Sequence, residues 1–311
     1  MYLKIIKKGC IITYRFYYNI KFEIFKGVFK NFYRKVIKIM NYLRDCRRIV
    51  IKVGTSTLTH ATGHLNLRRI QSLVKIISDM KNSGIEMVLV SSGAVSAGVA
   101  KVGFGHIPSS PEEKQALSSI GQSELMKLYD KFFSDYGHTV AQILMTKDVL
   151  DNPVRRAAAE NTFSRLLSMH CIPIVNENDA ISTDELTKFG GNDILSAYIA
   201  KVCHADLLIN MSDVDGLYDS DPRKNPDAEL ISRVEEINDD LYRIAGGAGT
   251  DRGTGGMIAK LNAAKIVTDS GIPMFIINGQ DPEILYTLLD GGKIGTYFKA
   301  DASKREKRDD E

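Results

Sequence analysis

Short runs of apolar, largely β-branched residues alternate along this chain with segments whose apolar residues recur at helical spacing. The first run, at residues 49–53, closes on Gly54, as a strand followed by a turn does. Beyond it, Ile70, Leu73 and Ile77 fall on one face of a helix. Such alternation predicts a sheet of mostly parallel strands with helices packed on both of its faces.

The same alternation continues to residue 277, and its runs are nearly all apolar, which is typical of strands buried on both sheet faces. Strands are predicted at residues 49–53, 87–90, 140–144, 172–175, 207–209 and 274–277. Helices are predicted from residue 70 to just before Gly84, and at residues 112–133, 157–167, 195–202 and 257–267. The predicted fold class is therefore α/β, a three-layer αβα sandwich around a mostly parallel open sheet.

Charge is distributed unevenly between the beginning of the chain and the rest. Residues 1–47 contain twelve basic and two acidic residues, whereas the whole chain carries a net charge of only +3. We therefore interpret residues 1–39 as a basic, aromatic leader outside the fold, with a translation start at Met40. The alternative is a segment that lies on an acidic membrane surface or touches RNA. Residues 40–299 are predicted to form one domain, and residues 300–311 a charged tail.

Composition excludes several functional classes. The small net charge gives no indication of a nucleic-acid partner. Lys or Arg interrupts every apolar stretch of the leader, so no run reaches the roughly 18 residues of a membrane span. The four cysteines are scattered without a C-x-x-C pair, which favours reduced thiols and a cytoplasmic location.

Small, hydroxyl-bearing or acidic residues follow four of the predicted strands. Any one of them could simply form a turn. Because ligands of open parallel sheets bind beyond the carboxyl ends of the strands, their convergence on one edge predicts a site for an anionic substrate and a nucleotide. The residues concerned are Gly54, Thr55, Ser92, Asn176, Asp179, Ser212 and Asp213.

A glycine-rich segment at residues 246–257 precedes a helix that carries Lys260. Glycine allows the backbone to approach phosphate closely, and a helix N-terminus offers free N–H donors. The alternative is a flexible surface loop. Neither G-x-x-x-x-G-K-[ST] nor a G-x-G-x-x-G after a strand is present, so a Walker-type NTPase or a Rossmann dehydrogenase is not supported.

Six short sequence elements follow one another along the chain. They are Lys52-x-Gly54-Thr55-Ser56, Ser92-Gly93-Ala94, Asn176-Glu177-Asn178-Asp179, Gly191-Asn192-Asp193-x-Leu195-Ser196-Ala197, Ser212-Asp213-x-Asp215-Gly216-Leu217-Tyr218 and Gly253-Thr254-Gly255-Gly256-Met257-x-x-Lys260. Their order resembles that of the glutamate 5-kinase branch of the amino acid kinase family, over about residues 48–299. The first and last elements are shared across the family and specify the fold and ATP, whereas the third and fourth point to glutamate.

The resemblance implies ATP-dependent phosphorylation of the side-chain carboxylate of L-glutamate, the first step of proline biosynthesis. It implies that Lys52 and Lys260 stabilise the transferring phosphoryl group and that Asp193 orients the two lysines. Glutamate would be bound by Ser92, Asn176, Asp179 and Asn192. ATP would be bound by Lys52, Gly54, Thr55, Ser212, Asp213, Thr254, Gly255, Gly256, Met257 and Lys260.

The resemblance also implies Mg²⁺ accompanying ATP, held mostly by phosphate and water rather than by a protein metal site. The expected partners are ATP, L-glutamate, further copies of the chain in a homo-oligomer, and the downstream glutamyl-phosphate reductase. No nucleic acid or membrane partner is expected.

The chain departs from the family pattern in two places. Gly191 stands where the family commonly has aspartate, which removes a carboxylate from the substrate edge. We also expect this chain to be without the C-terminal RNA-modification-type (PUA) domain of many bacterial members. Two alternatives stay open: a family member that phosphorylates aspartate, acetylglutamate, carbamate or UMP, and a nucleotide-binding regulatory protein without turnover.

Overall fold

A computed structural model describes residues 2–7, 10–15, 46–60, 62–182, 191–246 and 256–304. The chain divides into two compact units, Met1–Asp45 and Cys46–Glu311. In the first unit, strand β1 (Tyr2–Lys7) pairs antiparallel with β2 (Cys10–Arg15). The leader, the start at Met40 and the other domain boundaries stay predictions.

An eight-stranded sheet forms the centre of the second unit, in the order β5-β6-β4-β3-β7-β9-β10-β8. Every neighbouring pair is parallel except β9 and β10, which run antiparallel. The prediction of a mostly parallel sheet is confirmed. The strands are β3 (Arg48–Val53), β4 (Glu86–Val90), β5 (Val140–Met145), β6 (Ile172–Glu177), β7 (Leu207–Ser212), β8 (Arg233–Val234), β9 (Met274–Asn278) and β10 (Thr296–Phe298).

Helices connect most of these strands, as crossovers between parallel strands require. They are α1 (Thr55–Leu58), α2 (Leu67–Asn82), α3 (Ala94–Val102), α4 (Pro111–Ser134), α5 (Lys147–Asp151), α6 (Pro153–Ser168), α7 (Asn192–Val202), α8 (Asp239–Gly246), α9 (Gly256–Thr268) and α10 (Ile284–Leu289). A short 3₁₀ turn follows at Ala302–Lys304.

All six predicted strands and all five predicted helices are present, with ends that differ by a few residues. Sequence patterns missed α3 because its buried residues, among them Ala94, Ala97 and Gly98, are too small to stand out as an apolar stripe. They also missed β8 and β10, which have two and three residues and therefore no readable period.

Two helical layers enclose the sheet, which confirms the predicted αβα sandwich. On one face, Val50, Val88 and Leu208 join a buried cluster with residues of α6, α7 and α9. Because strand side chains alternate between faces, the intervening residues point to the other side, where α2 and α4 pack and α3 lies against α4. Ile49 and Ile51 on that side are fully buried.

Within the described residues, no helix has both the length and the apolar character needed to cross a membrane. Cys46, Cys171 and Cys203 are buried.

Helices α3 and α4 cross in close backbone contact at two glycines. A Cβ atom added to Gly98 would lie 1.9 Å from the Leu117 carbonyl oxygen, and one added to Gly121 would lie 1.8 Å from that of Ala94. Neither position can accept a side chain without moving a helix. Since α3 begins immediately after the polar residues that follow β4, this contact also fixes α4 against that end of the sheet.

Gly121→Ala should therefore lower the free energy of unfolding by about 3 kcal/mol, the upper range for an overpacked core. Urea unfolding would measure it. Gly105→Ala is the matched control, because a Cβ there meets nothing within 4 Å. Equal unfolding midpoints for the two variants would contradict the close helix crossing.

Candidate functional site

Strands β6, β4, β3 and β7 are neighbours in the sheet and run in one direction, so their carboxyl ends meet at one edge. Helix α7 contacts all four strands. Most of the site residues predicted from sequence lie at this edge or on the first turns of α7 and α9.

Asp193 forms ion pairs with two lysines from different elements. Its Oδ1 lies 2.5 Å from Lys52 Nζ, at the end of β3, and its Oδ2 lies 3.1 Å from Lys260 Nζ, in α9. Asn210 of β7 also donates from Nδ2 to Asp193 Oδ1 over 2.8 Å. All four side chains are buried. The three residues predicted to be catalytic are thus brought together.

The pKa values of this cluster reflect burial and its mixed charges. Burial lowers the pKa of the Lys52 ammonium, the Asp193 carboxylate opposes that fall, and Lys260 adds to it. For Asp193, burial alone would raise the pKa, but the charges of Lys52 and Lys260 outweigh it and the pKa lies below its ordinary value. Asp193 also stands in the first turn of α7, where the helix dipole favours an anion.

Asn192 links three polar residues at the neighbouring strand ends. Its Nδ2 lies 2.9 Å from the Ser91 carbonyl oxygen, 2.8 Å from Ser92 Oγ and 2.9 Å from Asn176 Oδ1. An amide nitrogen has two hydrogens, so these three acceptors share two protons. Three of the four residues predicted to bind substrate are therefore brought together in one hydrogen-bonded group.

Asp179, the fourth predicted substrate residue, lies beyond the end of β6. Ser118 of α4 donates to Asp179 Oδ2 over 3.1 Å. Beside it is a cavity of about 600 Å³ between α4, β5 and residues 177–180, lined among others by Gln122, Leu144 and Asp179. The carboxylate therefore faces a space large enough for a small ligand.

The residues predicted to meet the nucleotide lie at the ends of β3 and β7 and the start of α9. A Cβ at Gly54 would stand 3.6 Å from Lys52 Nζ, so glycine leaves the approach to that ammonium open. Thr55 is the first residue of α1 and is exposed. Ser212 is buried and donates to Asp213 Oδ1 over 3.0 Å.

At the start of α9, Gly256 has a φ of +70°, a value that favours glycine, and Met257 packs against the buried cluster. Thr254 and Gly255 lie outside the described residues. The nucleotide-binding roles of all these residues stay predictions.

Sequence reasoning missed Asn210 and Gln122. Asn210 is the one fully buried amide in an otherwise apolar strand, and that interruption was the available signal. Gln122 Oε1 accepts from Asn176 Nδ2 over 2.9 Å, but a glutamine on a long helix gives no signal that separates it from a solvated one. The function of Gln122 depends on what α4 packs against.

The backbone conformation at Gly191 accounts for the glycine at a position where the family commonly has aspartate. This residue has φ 109° and ψ 165°, a region that is essentially restricted to glycine. An aspartate could not replace Gly191 here without strain or a change in the path of the chain into α7.

Comparisons with known proteins find similar sequences over most of the chain. The model of the Amino acid kinase family matches residues 47–278. A glutamate 5-kinase of Clostridium perfringens is 52% identical over 261 residues, which are 83% of this chain and 97% of the relative. A glutamate 5-kinase of Listeria monocytogenes is 47% identical over 267 residues, 85% of this chain and 96% of the relative.

Solved structures share the fold at low sequence identity. The UMP kinase of Bacillus anthracis superposes with a TM-score of 0.56 at 18% identity, covering 83% of this chain and 97% of that one. The isopentenyl phosphate kinase of T. acidophilum gives 0.54 at 17% identity, covering 81% of this chain and 100% of that one.

Asp193→Asn should lower the free energy of unfolding by about 3 kcal/mol at pH 7, because two buried ammonium groups would lose their shared anion. A folded-state pKa below the ordinary value means that this stabilisation is full above about pH 4 and is lost as the pH falls further. The difference from the unmodified protein should therefore shrink towards pH 3.

Urea unfolding between pH 7 and pH 3 would measure this difference. Asp240→Asn is the control, because Asp240 pairs with Arg243 on the surface and should matter little at any pH. A difference that stayed constant down to pH 3 would show that Asp193 does not act through its charge.

Proposed function

Because this chain belongs to the amino acid kinase family, within its glutamate 5-kinases, we propose that it transfers the γ-phosphate of ATP to the side-chain carboxylate of L-glutamate. The product is glutamyl 5-phosphate, and the reaction is the first step of proline biosynthesis. The observation that carries the proposal is the Lys52–Asp193–Lys260 cluster directly beside the hydrogen-bonded group around Asn192.

The chemistry requires positioning and charge compensation rather than a general base. A carboxylate oxygen is already a nucleophile; it forms a bond to the γ-phosphorus as the bond to the β–γ bridging oxygen breaks and ADP leaves. Negative charge is spread over the three other γ-phosphoryl oxygens. Lys52 and Lys260 place two ammonium groups against that charge, and Asp193 holds them within reach of each other.

On the acceptor side, the site offers both a carboxylate suited to the substrate ammonium and polar groups suited to the substrate carboxylates. Asp179 supplies the anion, and Ser92, Asn176 and Asn192 supply hydroxyl and amide groups. An amino acid with a second carboxylate would thereby be held at both ends, which is the geometry that in-line transfer needs.

On the nucleotide side, Gly54 and Thr55 border the γ-phosphate, while Ser212 and Asp213 meet the rest of the nucleotide. Thr254, Gly255, Gly256 and Met257, with Lys260, would enclose the phosphates at the N-terminus of α9.

Mg²⁺ accompanies ATP and is bound mostly by phosphate oxygens and water, with at most one or two carboxylates. When bound, it would neutralise phosphate charge. Asp213, exposed at the end of β7, is the kind of oxygen ligand that fits such an ion. Among the described residues, no group of three or more His, Cys, Asp or Glu is placed to hold a metal by itself.

The proposal includes a homo-oligomer in the cytoplasm and transfer of the product to glutamyl-phosphate reductase. An acyl phosphate is readily hydrolysed, so an enzyme that consumes it promptly is the natural partner of this reaction.

Each acid of a panel would be incubated separately with Mg-ATP and hydroxylamine. We expect glutamate to be the only acceptor that gives both ADP release and a hydroxamate. Hydroxylamine traps the acyl phosphate, so the colour reports the bond that the proposal predicts. The panel should contain aspartate, N-acetylglutamate, carbamate and UMP, with ADP release measured for all. ADP release with another acceptor and not with glutamate would keep the fold and replace the substrate.

Lys260→Met should lower kcat by about 10² to 10³-fold while changing ATP affinity little, because its charge acts on the transition state. Steady-state kinetics and ATP binding by calorimetry would separate the two effects. Lys265→Met on the same helix is the control, since Lys265 is half exposed and pairs with Asp269. Equal losses in turnover and ATP affinity would favour a binding protein.

A further inference from the structure

One face of α4 carries three polar side chains that each hydrogen-bond a different part of the acceptor side of the site. Ser118, Gln122 and Tyr129 are separated by four and seven residues and therefore lie on the same helix face. All three are buried, with exposed fractions of 3%, 8% and 1%. We call this set the α4 stripe.

Gln122 helps to hold the Asn176 amide in place. Gln122 Oε1 accepts from Asn176 Nδ2 over 2.9 Å, while Asn176 Oδ1 accepts from Asn192 Nδ2 and from the Glu177 backbone N–H, each over 2.9 Å. The Glu177 N–H holds the amide oxygen, and Gln122 supplies the acceptor for the amide nitrogen. Loss of that acceptor would leave a buried N–H of Asn176 without its partner and weaken the support of Asn192.

Tyr129 supports the hydrogen-bonded group around Asn192 from the carboxyl end of β4. Its hydroxyl lies 2.8 Å from Ser91 Oγ, and Ser91 Oγ lies 3.2 Å from the Ser92 carbonyl oxygen. Either hydroxyl can be the donor in the contact between Tyr129 and Ser91. Burial raises the pKa of Tyr129 to about 12, so its hydroxyl keeps its proton at physiological pH. Ser91 in turn presents its carbonyl oxygen to Asn192.

Ser118 completes the stripe by donating to Asp179 over 3.1 Å. The three contacts thus reach all the strand ends that carry the predicted glutamate-binding residues. The hydrogen bonds described for the stripe do not include Lys52, Lys260 or Asp193. A small movement of α4 would therefore shift the acceptor side. The lysine cluster lies on other elements and would stay in place.

Backbone packing makes α4 a rigid support for these contacts. Gly121, next to Gln122, has its α-carbon against the backbone of α3, with no room for a Cβ. Helix α3 starts directly after Ser92 and Gly93, so the stripe and the β4 end are held to the same backbone.

We propose that the α4 stripe positions the acceptor site, with Gln122 as its central positioning residue, and that it sets affinity for the amino-acid substrate independently of ATP. This inference rests on the proposed function, because the acceptor is taken to be glutamate. The stripe acts through Asn176, Ser91 and Asp179 and need not itself touch the reacting atoms.

Steady-state kinetics of Gln122→Met, Tyr129→Phe and Ser118→Ala would test the proposal, with thermal unfolding of each variant measured alongside. Each change removes hydrogen-bonding atoms while nearly preserving side-chain size. The matched controls are exposed residues with the same change: Gln71→Met, Tyr136→Phe and Ser134→Ala.

Gln122→Met should raise KM for glutamate about tenfold or more, because a buried amide donor loses its acceptor, while KM for ATP should change less than about twofold. Tyr129→Phe and Ser118→Ala should shift KM for glutamate in the same direction by about threefold or more. The three controls should leave both KM values unchanged.

A merely structural role predicts a different result, namely a lower melting temperature with both KM values raised together or with neither changed. Either pattern would overturn the proposal. If Gln122→Met fails to fold, Tyr129→Phe and Ser118→Ala decide by the same criterion. An unmodified protein that makes no hydroxamate from glutamate would instead refute the proposed function, so the two failures are distinguishable.

Discussion

The shared carboxylate of Asp193 is the interaction on which this site depends. Two ammonium groups buried side by side repel each other and lose their hydration, and neither would be stable at the sheet edge without an anion between them. Asp193 contacts both lysines, and Asn210 holds one of its oxygens in place. Four elements contribute one residue each to the cluster, namely β3, β7, α7 and α9. All four must be correctly packed before the cluster can form.

The charge of the cluster suits a transferring phosphoryl group. Two lysines and one aspartate leave the cluster with a net positive charge. Part of the positive field is already compensated by Asp193, and the rest is available to an anion such as the phosphate of the proposed reaction. Burial lowers the pKa of Lys52, and the Asp193 carboxylate opposes that fall. Preorganised charges of this kind need little rearrangement when negative charge develops on the γ-phosphoryl oxygens.

The sequence predicted the layers and the ends of the strands well, because these depend on local patterns. The buried run around Val50, with Lys52 at its end, could be assigned from periodicity and composition alone. By contrast, the roles assigned to Asp193 and Lys260 came from a family resemblance. The contacts of Tyr129 and Gln122 had no local signal, because hydrogen bonds to residues 38 and 54 positions away are set by how α4 packs.

The first turn of α7 couples the two halves of the site. Asn192 and Asp193 are adjacent, and successive helical residues point about 100° apart, so one reaches the acceptor group and the other reaches the lysines. The direction in which α7 starts is set at Gly191, whose backbone conformation excludes other residues. A change there would move the donor of Asn192 and the carboxylate of Asp193 together. The relative placement of these two side chains thus depends on the path of one short turn, whose backbone at Gly191 favours glycine.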